Sequence, residues 1–322
     1  MNMKSMTGTA HNDRSGVKGV MRELIRNRTL LLMFLPVAVL LFFFNYLPLA
    51  GLVIAFKNFD FNKGIFGSDW AQPLLNNFDY LMSSSVAYRA VRNTILLNAL
   101  FIAVGLIFEV GLALMLNEMR NKYIKRITQS LTFLPFFISW IVVGVFAYSL
   151  LNFESGVINR ILEAMGFQGI DFYSEAGLWP VILTIAIRWK VTGYGTIIYL
   201  AALTGIDNSY YEAASIDGAS RWQQMRYISL PMLKPTILIL TLLAVGRIMN
   251  ADFGMFYAMV GDASLLFPTT DVIDTLVYRS LRKSGDIGMA SAAGFLQSIV
   301  AFVLVIGSNY VARKVDKDSA IF

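Results

Sequence analysis

Residues 204–231 read TGIDNSYYEAASIDGASRWQQMRYISLP. Their local chemistry predicts two short helices joined by a bend. Ser209 and Glu212 have capping-box spacing, in which a serine oxygen and a glutamate carboxylate satisfy free N–H groups at a helix start. Ala213, Ala214 and Ser215 keep one turn of that first helix small. Gly218 suits the left-handed position just past a helix end. Ser220 and Gln223 repeat the capping-box spacing and open the second helix, which Pro231 cannot continue without losing a hydrogen bond. The result is a helix–glycine–helix arrangement whose first arm permits close approach of another backbone.

Outward from this loop the chain is apolar. Of its 322 residues 56% are hydrophobic and 15% charged, against roughly 25% charged in a soluble domain. A membrane span needs about 20 mostly apolar residues. Six stretches qualify, near 30–54, 93–116, 127–151, 178–203, 233–258 and 288–312. The expected fold is therefore all-α and polytopic, with six transmembrane helices filling 29–313 between a basic tail (1–28) and a short tail (314–322). The first apolar run, LLLMFLPVAVLLFFFNYLPLAGLVIAF, exceeds the roughly 7–15 residues of a signal-peptide core, and no clear small-residue cleavage site follows it. It reads as a retained anchor.

Basic residues give the orientation. Lys18, Arg22, Arg26 and Arg28 precede the first span, Arg120, Lys122, Lys125 and Arg126 lie between the second and third, and Arg313, Lys314 and Lys317 follow the sixth. These regions share one side, which the positive-inside rule makes the cytoplasm. Both termini and the 204–231 loop fall on it. The segment 152–177, with Glu154, Glu163, Asp171 and Glu175 against Arg160, falls outside. Residues 17–28, VKGVMRELIRNR, are either a short amphipathic helix on the inner leaflet or an ordinary positive flank. The outer connection 55–92 is rich in aromatics (Phe56, Phe59, Phe61, Phe66, Trp70, Phe78, Tyr80). It is either a docking surface for an external partner or a cap packed on the helix ends.

Here a resemblance becomes specific. The EAA loop of binding-protein-dependent ABC importer permeases has E-A-A, three residues, G, nine residues and I-x-L-P. In this chain it is Glu212-Ala213-Ala214, then Ser215-Ile216-Asp217, Gly218, nine residues, and Ile228-Ser229-Leu230-Pro231. The stretches GLVIAFKNFDFNKGIFGSDW, LPFFISWIVVG and GYGTIIYLAALTGID, together with the last span, resemble the oligosaccharide and polysaccharide branch of the carbohydrate permeases. Within that branch the chain is similar to the first of two paired permeases, and bacterial alginate importers are one group it resembles. The resemblance implies a type I importer permease fold and a pore shared with a second permease subunit. It also implies two ATP-binding cassette ATPase subunits, an extracytoplasmic solute-binding protein that delivers the oligosaccharide, and a loop that docks on an ATPase. Its coupling residues would be Glu212, Ala213, Ala214, Asp217, Gly218, Ile228, Leu230 and Pro231. The chain would be no enzyme and hold no cofactor, ATP and Mg being bound by the partner. That fits the lack of a G-x-x-x-x-G-K-[ST] phosphate loop. Glu212 is either a docking residue or simply a helix cap.

Ionisable residues inside spans are costly and usually functional. Arg188 and Lys190 lie in the fourth span, Arg247 in the fifth and Glu109 in the second. Arg188 and Arg247 are each about 15 residues from a cytoplasmic span end, roughly 22 Å up at about 1.5 Å per residue. Two guanidiniums at one level favour an anionic or hydroxyl-rich substrate, unless Glu109 or Asp252 neutralises them. Trp189, Tyr194 and Asn250 complete the expected pathway. Gly193 and Gly195 allow either bending or close helix contact.

Other classes fit less well. An ion-driven transporter commonly shows internal repeats and midplane carboxylates, and no repeat is visible. An intramembrane enzyme needs a nucleophile and base at one depth. The chain has no Cys, and its one histidine, His11, is in the tail. The net charge of +6 follows topology and does not point to nucleic acid.

Overall fold

The structure, a computed structural model, describes residues 25–315. Most of the expected amphipathic segment 17–28 and most of the tail at 314–322 lie outside the described residues.

The first span is an apolar helical run, Arg28–Phe56. It comprises α1 (Arg28–Leu41), a π turn (Phe42–Tyr46) and a 3-10 stretch (Leu47–Phe56). No residue of α1 is buried.

The remaining chain, from Ile54 onward, forms its own compact unit. A two-stranded hairpin pairs β1 (Lys57–Asn58) with β2 (Asp69–Trp70), with α2 (Gly64–Gly67) between them, and α3 (Asn76–Ser83) follows. The aromatic connection divides in two. Phe56 and Phe78 pack on Phe295, with ring centroids 5.1 and 6.0 Å from it, whereas Phe61, Phe66 and Trp70 are exposed. The cap reading thus holds for Phe56 and Phe78, while Phe61, Phe66 and Trp70 are left open.

Helix α4 (Ser85–Glu118) is 34 residues long, about 50 Å at about 1.5 Å per residue, longer than the roughly 30 Å of hydrocarbon. Ser84 caps it by accepting from the Val86 N–H. The third expected span, 127–151, is not continuous. Helix α5 (Lys122–Phe133) runs into a 3-10 turn (Leu134–Phe137), and α6 (Trp140–Leu151) departs at 97°. Pro135 removes a donor, and Ser139 starts a fresh helix by accepting from the Val142 N–H.

After α7 (Val157–Ala164) comes α8 (Trp179–Thr204), unbroken through Gly193 and Gly195. These two glycines serve close contact, not bending. A Cβ on Gly193 would collide with the Thr132 carbonyl of α5, and one on Gly195 with the Glu109 carboxylate of α4. The loop helices α9 (Asn208–Ile216) and α10 (Arg221–Gln224) follow, then a π turn (Met225–Ser229) and α11 (Leu230–Gly246). The fifth expected span, 233–258, stops at Gly246. An unwound turn occupies 247–252 before α12 (Phe253–Met259), which Asp252 caps by accepting from the Met255 N–H. The chain ends with α13 (Phe267–Thr270), α14 (Ile273–Arg279) and α15 (Ile287–Val315). Among the described residues five helical runs are long and apolar enough to cross a membrane, six if the bent α5–α6 pair counts as one.

The core is layered along α4. Near its start, Ala87 and Ala90 pack with Ile273, Leu276 and Met289. Next, Leu97 and Phe101 join Val143, Trp179, Leu183 and Phe256. Towards its end, Val110, Ala113 and Leu116 meet Tyr199, Leu203 and Leu233. Burying one such side chain contributes about 1.5–3 kcal/mol where water is the alternative; against lipid, close packing takes over that role. Wholly buried Asp271 accepts from Arg89 at 3.2 Å and from Arg279, tying the start of α4 to α14.

Candidate functional site

Between the second and third core layers, α4, α8 and α11 leave a cavity of about 270 Å³. Its polar lining is Asn98, Glu109, Arg188, Tyr199, Thr241, Arg247 and Asn250. The structure therefore brings Arg188, Arg247 and Asn250 together as expected, but in unequal states. Arg188 Nη1 donates to Glu109 Oε1 at 3.0 Å, and both side chains are mostly buried. Gly105 on α4 makes room for this guanidinium and Gly195 on α8 for the carboxylate. Arg247 is exposed and has no ion pair or side-chain hydrogen bond among the described residues. It ends α11 instead of lying within a span helix.

Trp189 and Tyr194 do not line this cavity. Trp189 faces a separate apolar cleft with Phe108, Pro135 and Ile185. Tyr194 stacks on Phe136, with centroids 4.7 Å apart. Helix geometry is the reason, because successive residues turn by about 100° and Arg188, Trp189 and Tyr194 point in different directions.

The unwound turn 247–252 is held from three helices. Asn98 of α4 donates to the carbonyls of Ile248 (2.8 Å) and Asn250 (3.3 Å), and Gln297 of α15 to that of Met249 (2.9 Å). Asp274 of α14 accepts from the Ala251 N–H at 2.9 Å. Such backbone is tolerated at membrane depth only where protein or a water-lined cavity satisfies it. These supports were missed in the sequence, although Asn98 and Gln297 stood out as amides within apolar spans.

Lys190 serves the other break. Its Nζ donates to the carbonyls of Phe136 (2.8 Å) and Ile138 (2.6 Å), and lies 5.4 Å from the Trp140 ring centroid. Trp140 Nε1 donates to Asp252 Oδ2 at 2.6 Å. The two interrupted helices are thus joined at their breaks.

In the 204–231 loop, Asp207 is the cap of α9, not Ser209: its carboxylate accepts from the Ser209 N–H at 2.9 Å. That bond holds the Asp207 carboxyl below its ordinary 3.8. Glu212 makes no capping hydrogen bond and is exposed, as are Ala213, Asp217 and Gly218. Gly218 closes α9 in the left-handed conformation, φ 80°. The Ala219 N–H reaches the Ala214 carbonyl and the Gly218 N–H that of Ser215, the bonding that the Gly end predicts. Ser220 and Gln223 form the expected capping box, a cap worth about 1 kcal/mol.

Pro231 does not end the second helix. The run Arg221–Gly246 is continuous, because the π turn containing Ile228 shifts the hydrogen-bond register just before Leu230 and Pro231. The two arms are fastened by Tyr211 Oη to Ser229 Oγ (2.9 Å) and by Gln224 Nε2 to Ser215 Oγ (2.8 Å). Arg221 reaches Glu118 at the end of α4 at 3.3 Å. Tyr210, Ile216, Trp222 and Tyr227 stay exposed.

Residues 102–317 match the family of binding-protein-dependent transport system inner membrane components. The chain is 34% identical to protein LplB of Bacillus subtilis (strain 168) over 306 residues, 94% of each. It is 33% identical to the polygalacturonan/rhamnogalacturonan transport system permease protein YteP of the same strain, over 92% of this chain and 91% of that one. A crystal structure of a bacterial ABC transporter involved in import of the acidic polysaccharide alginate matches 92% of this chain and 99% of its own. The TM-score is 0.82 and the identity 30%. A second alginate transporter structure, in complex with alginate pentasaccharide-bound periplasmic protein, matches 95% of this chain with the same TM-score.

Proposed function

Because the chain belongs to the family of binding-protein-dependent transport system inner membrane components, we propose that it passes an acidic oligosaccharide through a pore shared with a second permease. A solute-binding protein delivers the sugar, and two partner ATPase subunits bind ATP and Mg and drive the cycle. The chain performs no chemistry. Both termini and the 204–231 loop face the cytoplasm, on the distribution of basic residues. The acidic class is supported by the polygalacturonan and rhamnogalacturonan carried by YteP and by the acidic alginate of the alginate transporter.

The observation that carries the coupling role is the loop itself. It offers an open arm, Glu212, Ala213, Asp217 and Gly218, beside exposed Ile216. Leu230 and Pro231 begin α11 itself, so the docked arm and the cavity wall are one mechanical piece.

The test is reconstitution with the neighbouring permease, ATPase and binding protein, measuring ATP hydrolysis with and without sugar. The native complex should show sugar-stimulated hydrolysis. A Glu212→Ala, Gly218→Pro loop variant should lose it while the spans stay folded. Hydrolysis indifferent to the loop change would sink this reading, and dependence on an ion gradient in the chain alone would replace it with ion-coupled transport.

A further inference from the structure

We propose that the unwound turn at 247–250 reads the carboxylate of the sugar, with the Arg247 guanidinium as its partner and the Asn250 amide contacting a neighbouring hydroxyl; this rests on the transport reading above.

Charge selects the residue. Three ionised side chains line the cavity, and Glu109 already cancels Arg188 through the 3.0 Å pair. Among the described residues one positive charge of this lining has no ion-pair partner, that of exposed Arg247. A guanidinium fork matches a carboxylate through two parallel hydrogen bonds.

Backbone geometry supports it. A helix C-terminus normally presents partly negative carbonyls, which repel an anion. At the end of α11 the Ala244 and Val245 carbonyls accept from the Arg247 and Ile248 N–H groups, and in the turn that follows those of Ile248, Met249 and Asn250 are each occupied by an amide donor from Asn98 or Gln297. The turn therefore offers a cation with its carbonyls engaged. It also places residues 247, 248 and 250 on one cavity wall.

The competing role for Arg247 is to favour the C-terminus of α11 by its charge alone. The two separate by experiment. Complete importer complexes in vesicles would carry native chain, Arg247→Gln or Arg247→Lys. Each would take up a short oligogalacturonate or the same chain with its carboxyls reduced to neutral sugar. The uptake ratio of variant to native for each sugar cancels the preference of the binding protein.

Arg247→Gln should lower oligogalacturonate uptake about ten-fold or more, the loss of a charged hydrogen bond, and leave the neutral sugar within about two-fold. Arg247→Lys, which keeps the charge and loses the fork, should fall between. Equal losses for both sugars, or no loss for either, would overturn the assignment while leaving the transport reading intact. A native complex that imports neither sugar would instead overturn the transport reading on which it rests. The thermal midpoint of each variant complex identifies a folding defect, and a drop in Arg247→Gln that Arg247→Lys restores together with both sugars equally would assign the residue to the helix end alone.

Discussion

Arg188 and Glu109 meet at 3.0 Å in a slot made by two absent side chains, those of Gly105 and Gly195. A mostly buried ion pair is weak support for stability as a whole, yet removing one partner strands the other. Glu109→Ala should therefore cost about 3 kcal/mol, read as a lower thermal midpoint of the purified chain in detergent. Glu109→Gln with Arg188→Met should cost less than Glu109→Ala alone. A double variant as damaged as the sum of its singles would contradict this account of the pair.

The glycines of α4 and α8 are graded by what a methyl group would meet. Gly193 faces the Thr132 backbone, which cannot rotate away, and Gly195 faces a side chain. Gly111 faces open space. Gly193→Ala should destabilise by about 1–3 kcal/mol, Gly195→Ala by less, and Gly111→Ala not at all. Thermal unfolding of the three variants checks the order, and equal midpoints would refute it.

Lys190 satisfies two carbonyls at the 97° break. Lys190→Met keeps the bulk and removes the donors. About 1–3 kcal/mol per stranded carbonyl is expected. Trp140→Phe, which loses the bond to Asp252 but keeps an aromatic ring beside Lys190, should cost less. Amide exchange at 136–140 should rise in Lys190→Met ahead of the rest of α5; unchanged protection there would argue that the break holds itself.

Asp207 gives a pH prediction. Its folded carboxyl is held below 3.8 by the Ser209 N–H. A depressed acid contributes its stabilisation above the ordinary value and loses it only as pH falls through the lowered one. Protection of α9 amides, corrected for intrinsic exchange, should therefore be flat from neutral pH down to about 5, the acid remaining ionised throughout. Asp207→Ala should lower that protection uniformly across the range. A native decline near pH 6 would point to another group.

The apolar runs made the span helices legible, and the pattern from Glu212 to Pro231 made the loop legible. The interruptions were not. Residues 137–140 are apolar enough to read as span, and Arg247, Asn250 and Asp252 read as isolated polar groups inside the apolar run 233–258; the breaks are sustained by residues far away in sequence: Lys190, Asn98, Asp274 and Gln297. Asp207 and Ser209 both carry a capping oxygen, and because the helix starts at Asn208 the former is its cap. Pro231 looked like a stop because a π turn absorbing its missing donor has no sequence signature. Trp189 and Tyr194 carry the hydrogen-bonding groups and flat apolar faces that suit a sugar ring, but angular position about α8 turns them away from the cavity.

The supports of the 247–252 turn have one more consequence. Asn98, Asp274 and Gln297 grip its main chain, and main chain is the same whatever side chain it carries. Mounting and letters are therefore separable, like type set in a locked frame. Under the assignment proposed above, positions 247 and 250 are where a permease of this build can be rewritten for a different cargo, by point changes that leave the frame standing.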